Sequence, residues 1–166
     1  MIRQMPTVVS QAMREAGTPH VFCVTRMRPA FTPALAADYV RELSADVRAV
    51  VVLDASGALL AGSEALAGPA RALTAASRGS ELEVVRPAGV VCAARDEHRA
   101  LVAVCGRFAL PAVVRCDLRA ALAALSGHEP GVSPAPGATR PPSGAVEALE
   151  RAAEGLIAAA QRASEA

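Results

Sequence analysis

Lysine and tryptophan are absent from this chain of 166 residues, and aromatic side chains make up only 2% of it. Without lysine, the chain can neither form a Schiff base nor hold nucleotide phosphates with a P-loop lysine. So few aromatic rings count against a site that stacks bases or sugars. The formal net charge of +1 creates no overall field that would attract nucleic acid or a membrane. We therefore expect no nucleic-acid and no membrane partner.

Long apolar runs and paired cysteine motifs are missing as well. No run of 18 apolar residues occurs, so no membrane-spanning helix is expected. The N-terminal stretch MIRQMPTVVSQAMREAG has no continuous apolar segment of the kind that marks a secretory signal. The four cysteines, Cys23, Cys92, Cys105 and Cys116, form no C-x-x-C motif. These features predict a cytoplasmic protein with reduced thiols, and they suggest neither a metal nor another cofactor.

Composition divides the chain into four parts. Apolar residues make up 52% of the sequence, enough to build a core from valine, leucine and alanine. Residues 1–33 form a basic N-terminal extension, and residues 34–126 form a body with balanced charge. Residues 127–144 are a linker rich in proline and glycine, and residues 145–166 carry a C-terminal amphipathic helix.

Two apolar runs in the stretch VRAVVVLDASGALLAG, residues 47–62, are joined by a short turn. Gly57 can adopt the positive φ that such turns need, which predicts a β-hairpin. Because neither run alternates with polar residues, we expect cover on both faces of the hairpin. Residues 33–45 predict a preceding helix, with Thr32 as its N-cap. Its predicted apolar face consists of Leu35, Tyr39, Val40 and Leu43.

An alanine-rich helix is predicted within residues 63–79. Ser63 is a candidate N-cap, and Gly79 is the predicted end. Because Gly68 and Pro69 interrupt the pattern, the regular helix is predicted to begin near Pro69.

Three strands, at residues 82–86, 90–95 and 100–106, and a helix at residues 111–125 complete the body. Gly127 is the predicted end of that helix. Pairing the last two strands about their polar turn sorts their side chains onto two faces. One face is predicted to hold Val90, Cys92, Leu101, Ala103 and Cys105, and the other Val91, Ala93, Val102 and Val104.

The predicted order of elements is α-β-β-α-β-β-β-α, an α+β body with a five-stranded antiparallel meander sheet and helices on both faces. This order, together with the segments VRAVVVLDASGALLAG, VVCAARDEHRALVAVCG and RCDLRAALAAL, resembles the roadblock/LC7 family over residues 34–126. GAF, PAS and profilin-like sheets share the general architecture. GAF and PAS domains usually have longer connections and a roomier, more aromatic pocket than this sequence indicates.

The resemblance implies a bacterial, non-enzymatic regulator or scaffold that forms a homodimer and accompanies a small Ras-like GTPase. It implies that residues 82–86 form the edge strand that joins the partner, beside the alanine-rich helix. The alternative is that the chain's own N-terminal segment covers this strand. The implied dimer interface consists of Ala70, Leu73, Ala76, Leu82, Val84 and Arg86.

The C-terminal helix is the other candidate contact. Leu149, Leu156 and Ile157 lie on its apolar stripe, whereas Glu150 and Glu154 are predicted to face away. The stripe can dock on a partner or on the chain's own body, and docking on the body is favoured.

No catalytic group is predicted. Cys92 and Cys105 are diagonal neighbours on one sheet face, which leaves a small-ligand or redox sensor domain as the alternative function. His98 lies in a solvated polar turn, and His20-x-x-Cys23 has no matching ligand pair for a metal. If the chain acts on a GTPase, it either supplies an arginine in trans or holds the GTPase's own residues in place. Candidate arginines are Arg78, Arg86, Arg95, Arg99 and Arg107, and the spacing singles out none of them.

Overall fold

The structure, a computed structural model, describes residues 31–127 and 143–165. Most of the predicted N-terminal extension, including His20 and Cys23, and most of the linker lie outside these residues, so the predicted domain boundaries remain predictions. The elements in chain order are α1 (Pro33–Leu43), β1 (Val47–Asp54), β2 (Leu59–Ala61), α2 (Glu64–Ala76), β3 (Glu81–Arg86), β4 (Gly89–Arg95), β5 (Arg99–Cys105), α3 (Pro111–Ser126) and α4 (Ser143–Glu165).

All five strands of the described chain form one antiparallel sheet in the order β2-β1-β5-β4-β3. The hairpin β1-β2 and the meander β3-β4-β5 are joined where β1 pairs with β5. β2 and β3 are the two edges of the sheet. The predicted five-stranded antiparallel sheet with helices on both faces is therefore confirmed. It is not one continuous meander, because β1 pairs with β5 and β2 does not pair with β3.

The hairpin turn is held by one carboxylate. Gly57 has φ of 84°, as predicted. Asp54 Oδ1 accepts hydrogen bonds from the Ser56 hydroxyl at 2.7 Å and from the backbone N–H groups of Ser56 and Ala58 at 2.8 Å each. Because these bonds favour the charged carboxylate, chiefly the one from the Ser56 hydroxyl, they lower the pKa of Asp54.

Helix α1 begins as predicted but packs through a different face. The Thr32 hydroxyl oxygen accepts a hydrogen bond from the N–H of Leu35, which confirms the N-cap. The buried residues are Ala36, Ala37 and Val40. The predicted stripe was wrong for Leu35 and Leu43, which are about half exposed, and for Tyr39, which is 39% exposed. Small alanine side chains let the helix lie close to the sheet, so the larger leucines turn outward.

Helix α2 begins earlier than predicted. It starts at Glu64 after Ser63, whose side chain makes no capping hydrogen bond, and it contains Pro69 in its interior. The prediction of a start near Pro69 was wrong. Leu66 and Ala67, which precede Pro69, are buried, and their packing offsets the cost of an interior proline. The helix ends at Ala76, before Gly79. Gly127, with φ of 70°, ends α3 as predicted.

Two apolar layers enclose the sheet. One layer packs α1 and α3 against the face that carries Cys92, Leu101 and Cys105. The other packs α2 and α4 against the face that carries Val102 and Val104. Among the described residues no polar or charged residue is buried. The predicted assignment of β4 and β5 side chains to two faces is confirmed.

Candidate interaction surface

The residues that sequence analysis assigned to two separate contacts lie in one layer of the same chain. Ala70 and Leu73 of α2 are fully buried. They share an apolar cluster with Leu149, Leu156 and Ile157 of α4, which are at most 7% exposed. Ala76, Leu82 and Val84 are partly buried against this cluster. We call these eight residues the α2–α4 layer. Docking of α4 on its own body is the arrangement in the described chain, and contact of these residues with a partner remains a prediction.

Two helices come close together in this layer because neither has a large side chain at the crossing. A Cβ atom placed on Gly155 of α4 would lie 3.6 Å from Cβ and Cγ of Pro69 in α2. That distance is ordinary van der Waals contact, so an alanine fits at this position and a longer side chain does not. The alanine-rich composition of both helices is thus used for close helix packing.

Arg86 ties the edge of the sheet to α4. Its Nη1 donates to Glu150 Oε1 at 3.2 Å, and its Nη2 lies 3.2 Å from Glu150 Oε2 and 3.0 Å from Glu154 Oε1. The Arg86 side chain is only 23% exposed, so solvent screens these ion pairs less than it screens a fully exposed pair. Sequence analysis missed this contact, because Glu150 and Glu154 were predicted to face away from the body. Only the position of α4 across β3 reveals it.

Strand β3 leaves one side of its backbone unpaired within the described residues. It pairs with β4 alone, and its Val85 side chain is 61% exposed. On the same face of the strand as Val85, Arg115 lies 3.2 Å from Glu83, and Arg119 lies 3.3 Å from Glu81. Within the described residues this edge is open to pairing with another chain or with another segment of the same chain, and the charges beside it disfavour nonspecific pairing.

Known structures decide the identity of this fold. The roadblock/LC7 domain from Streptomyces avermitilis superposes with a TM-score of 0.50 at 12% sequence identity, covering 55% of this chain and 92% of that chain. The chain has the roadblock/LC7 fold. A second roadblock/LC7 domain structure from that organism matches with a TM-score of 0.46 at 19% identity, covering 52% of this chain and 91% of that one. No family model and no curated protein matches the sequence.

Two thiols lie within the core of this roadblock/LC7 fold. Cys92 and Cys105 are diagonal neighbours, as predicted, because Cys92 pairs with Ala103 and Cys105 pairs with Val90. Both are buried, and the hydrogen bond that Cys105 donates to Cys92, together with burial, raises the pKa of Cys105. Neither thiol lines the groove beside the hairpin turn, which Asp54, Gly57 and Arg95 border. Cys116 is the exposed thiol of the described residues.

Three of the five candidate arginines are engaged with the body of the roadblock/LC7 fold. Arg95 donates to the Thr74 carbonyl at 3.2 Å, Arg99 donates to the Leu125 carbonyl at 2.7 Å, and Arg86 pairs with α4. Arg78 is exposed. The Arg107 guanidinium lies 4.5 Å from the centre of the Phe108 ring, in a cation–π contact.

An apolar patch borders Arg107 in sequence. Phe108, Leu110 and Val113 are 72%, 69% and 50% exposed. Sequence analysis missed this patch, because it assigned these residues only to the approach and the first turn of a helix. The available signal in the sequence was three large apolar side chains that flank Pro111.

His98 lies in the polar turn between β4 and β5. Asp96 Oδ1 accepts the backbone N–H groups of His98 and Arg99 at 2.7 Å each, so the carboxylate organises the turn. Within residues 31–127 and 143–165, no group of three or more potential metal ligands comes together. In the same part of the chain, no helix has the length and apolar character needed to cross a membrane.

Proposed function

We propose that this chain is a non-enzymatic regulator or scaffold that forms a homodimer and binds a small Ras-like GTPase in the cytoplasm. The observation that carries the proposal is the roadblock/LC7 fold with an open β3 edge. Both faces of the sheet are packed, and the thiols lie inside the core. The features that remain accessible are surfaces that suit another protein.

The exposed patch of Phe108, Leu110 and Val113 is the proposed contact with the GTPase. Apolar side chains at this exposure favour burial against another protein. Arg107 sits beside the patch and carries a charge that is free of ion pairs among the described contacts. It is therefore better placed than Arg95 or Arg99 to reach a bound partner. We consider two mechanisms. Arg107 contacts the phosphates of the GTP bound to the GTPase, or the apolar patch holds the GTPase's own catalytic residues in place.

The test combines the purified full chain with a small Ras-like GTPase encoded beside it. Binding is measured with the GDP and GTP-analogue forms, and GTP hydrolysis is measured with and without the chain. We expect binding and a changed hydrolysis rate, with both lost in Phe108→Ser. Leu60→Ser is the matched control, because Leu60 is similarly apolar and 42% exposed but lies in β2.

Arg107→Ala separates the two mechanisms. Loss of about 1,000-fold or more of any stimulated hydrolysis, with binding retained, is expected for an arginine supplied in trans. Unchanged stimulation is expected if the patch acts by ordering the GTPase. Absence of binding to either nucleotide form would overturn the proposed function.

The alternative, a small-ligand or redox sensor domain, has less support. A sensor thiol must be reached by its oxidant, whereas Cys92 and Cys105 are 0% and 1% exposed. Rapid formation of a Cys92–Cys105 disulfide by mild oxidant in the folded chain, detected by mass, would favour this alternative.

A further inference from the structure

Helix α4 and a second chain cannot use the same face of α2 together. Ala70 and Leu73 are fully buried in the apolar cluster that α2 shares with α4 and the sheet, so no other chain reaches them while α4 is docked. These are the residues through which the homodimer is expected to form. The docked helix therefore affects self-association directly.

We propose that α4 is a removable cover on a self-association surface and that a second copy of this chain, through its own α2, replaces it. This inference rests on the proposed homodimer and adds its regulation. In the covered state the chain is a monomer. In the open state the α2 faces of two copies pack against each other.

The contacts of α4 are suited to release. Large apolar side chains contribute at only three of its well-buried positions, Leu149, Leu156 and Ile157, and the others are alanines. The polar contact is the Arg86 cluster, whose acidic side chains are 42% and 63% exposed and are therefore open to screening by salt. The sequence that joins α4 to the body is rich in proline and glycine and contains no apolar repeat.

The shape of the surface favours a second copy as the replacement. Pro69 of α2 meets Gly155 of α4 where the two helices approach, and the buried residues of α2 include the small side chains of Ala67 and Ala70. The α2 helix of another copy offers the same small side chains, so this face is self-complementary about a two-fold axis. The unpaired edge of β3 lies at the border of the same face, because Leu82 and Val84 pack into the layer. A second copy can thus extend the contact from helix to sheet.

Tethering makes the covered state the default. A helix that the same chain joins to its binding surface typically has an effective concentration on the order of 1 mM, well above that of a free second copy at micromolar concentration. Each copy must release its own α4 before two α2 faces meet. The apparent dissociation constant of the dimer therefore varies with the inverse square of the open fraction.

Gly155 allows the cover to be loosened or tightened in the full chain. Gly155→Gln places a long side chain against Pro69 and displaces α4, whereas Gly155→Ala fits the available space and strengthens the helix. Gly144→Gln is the matched control on the same helix, because no atom lies within 4 Å of a Cβ built at Gly144. Mass is measured by light scattering over a concentration series, and amide hydrogen exchange reports the docking of α4.

We expect Gly155→Gln to lower the apparent dimer dissociation constant by about tenfold or more, and Gly155→Ala to raise it by about tenfold. Each change alters the open fraction of both copies in the dimer, so its effect on this constant is squared. Gly144→Gln is expected to match the wild type. The inference is overturned if Gly155→Gln exposes α4 amides without raising the mass. It is equally overturned if the wild-type dimer keeps α4 protected.

If Gly155→Gln precipitates, Gly155→Ala decides the outcome alone: a dimer constant equal to that of the wild type overturns the inference. Failure of the proposed function is seen separately, in the GTPase assay. If the mass changes as expected in the Gly155 variants but the chain binds no GTPase, the role of α4 as a cover is supported and the proposed GTPase partner is rejected.

Discussion

Gly62 is the position where a single added methyl group should do most damage to the fold. It connects β2 to α2 with φ of 108°, a conformation that residues with a side chain rarely adopt. A Cβ atom at Gly62 would lie 2.5 Å from the Val50 carbonyl oxygen and 3.1 Å from the Val51 Cα atom. Both are backbone atoms of the buried strand β1. Gly62→Ala therefore requires the strand or the connection to move.

The size of the effect follows from two terms. The left-handed backbone raises the free energy of an alanine by about 1–2 kcal/mol relative to glycine. Relief of a clash inside a packed region adds about 1–3 kcal/mol. We expect the free energy of unfolding to fall by about 3 kcal/mol, a large part of the 5–15 kcal/mol typical of a domain. The melting temperature should fall by about 12 °C.

Urea and thermal unfolding, followed by far-ultraviolet circular dichroism, measure this change. Gly144→Ala is the control, because a Cβ there meets open space. It should unfold within about 0.5 kcal/mol of the wild type. A Gly62→Ala chain as stable as the control would refute the assignment of Gly62 to this constrained connection.

Two further predictions concern acid stability and thiol access. Burial disfavours the charged form of Asp96, but hydrogen bonds from Ser126 and from the amides of His98 and Arg99 outweigh it and lower the pKa below 3.8. The stabilisation by the charged Asp96 is thus present at neutral pH and is lost as the pH falls through about 4 and below. In Asp96→Asn, the melting temperature should therefore decrease less between neutral and acidic pH than it does in the wild type. Glu97→Gln is the control, and an unchanged acid slope in Asp96→Asn would contradict the prediction. In a Cys23→Ser background, a thiol reagent should label Cys116 rapidly and Cys92 and Cys105 only as the fold opens, with rates compared by mass spectrometry. Equal labelling of all three thiols in the native protein would show that the core is accessible.

Local signals predicted the elements well. Thr32 and Gly127 mark helix ends through hydrogen bonding and backbone conformation, and Gly57 marks a turn. These effects act within a few residues, so the sequence contains them directly. The two faces of β4 and β5 follow from the strict alternation of side chains along a strand.

Long-range packing was harder to predict. The outer position of Leu35 depends on how closely α1 approaches the sheet, which is set by Ala36 and Ala37 and by the elements beneath them. The amphipathic stripe of α4 was correct in outline, but the proline- and glycine-rich sequence before it contains no signal for where the helix packs. The salt bridge from Arg86 to Glu154 depends on that landing position. The sequence therefore indicated the apolar residues of the α2–α4 layer, but it did not indicate that α4 packs beside α2.

The seam between β1 and β5 has a consequence for how fast the chain folds. The hairpin and the three-strand meander each form from strands that are neighbours in sequence. Val50 and Ala103, in contrast, pair across about fifty residues. Closing this long loop costs conformational entropy, which other contacts must offset before the sheet is complete. We expect this junction to form in the rate-limiting step and the two local pieces to form earlier. Permuting the chain to bring β1 next to β5 in sequence would then accelerate folding with little change in the final architecture.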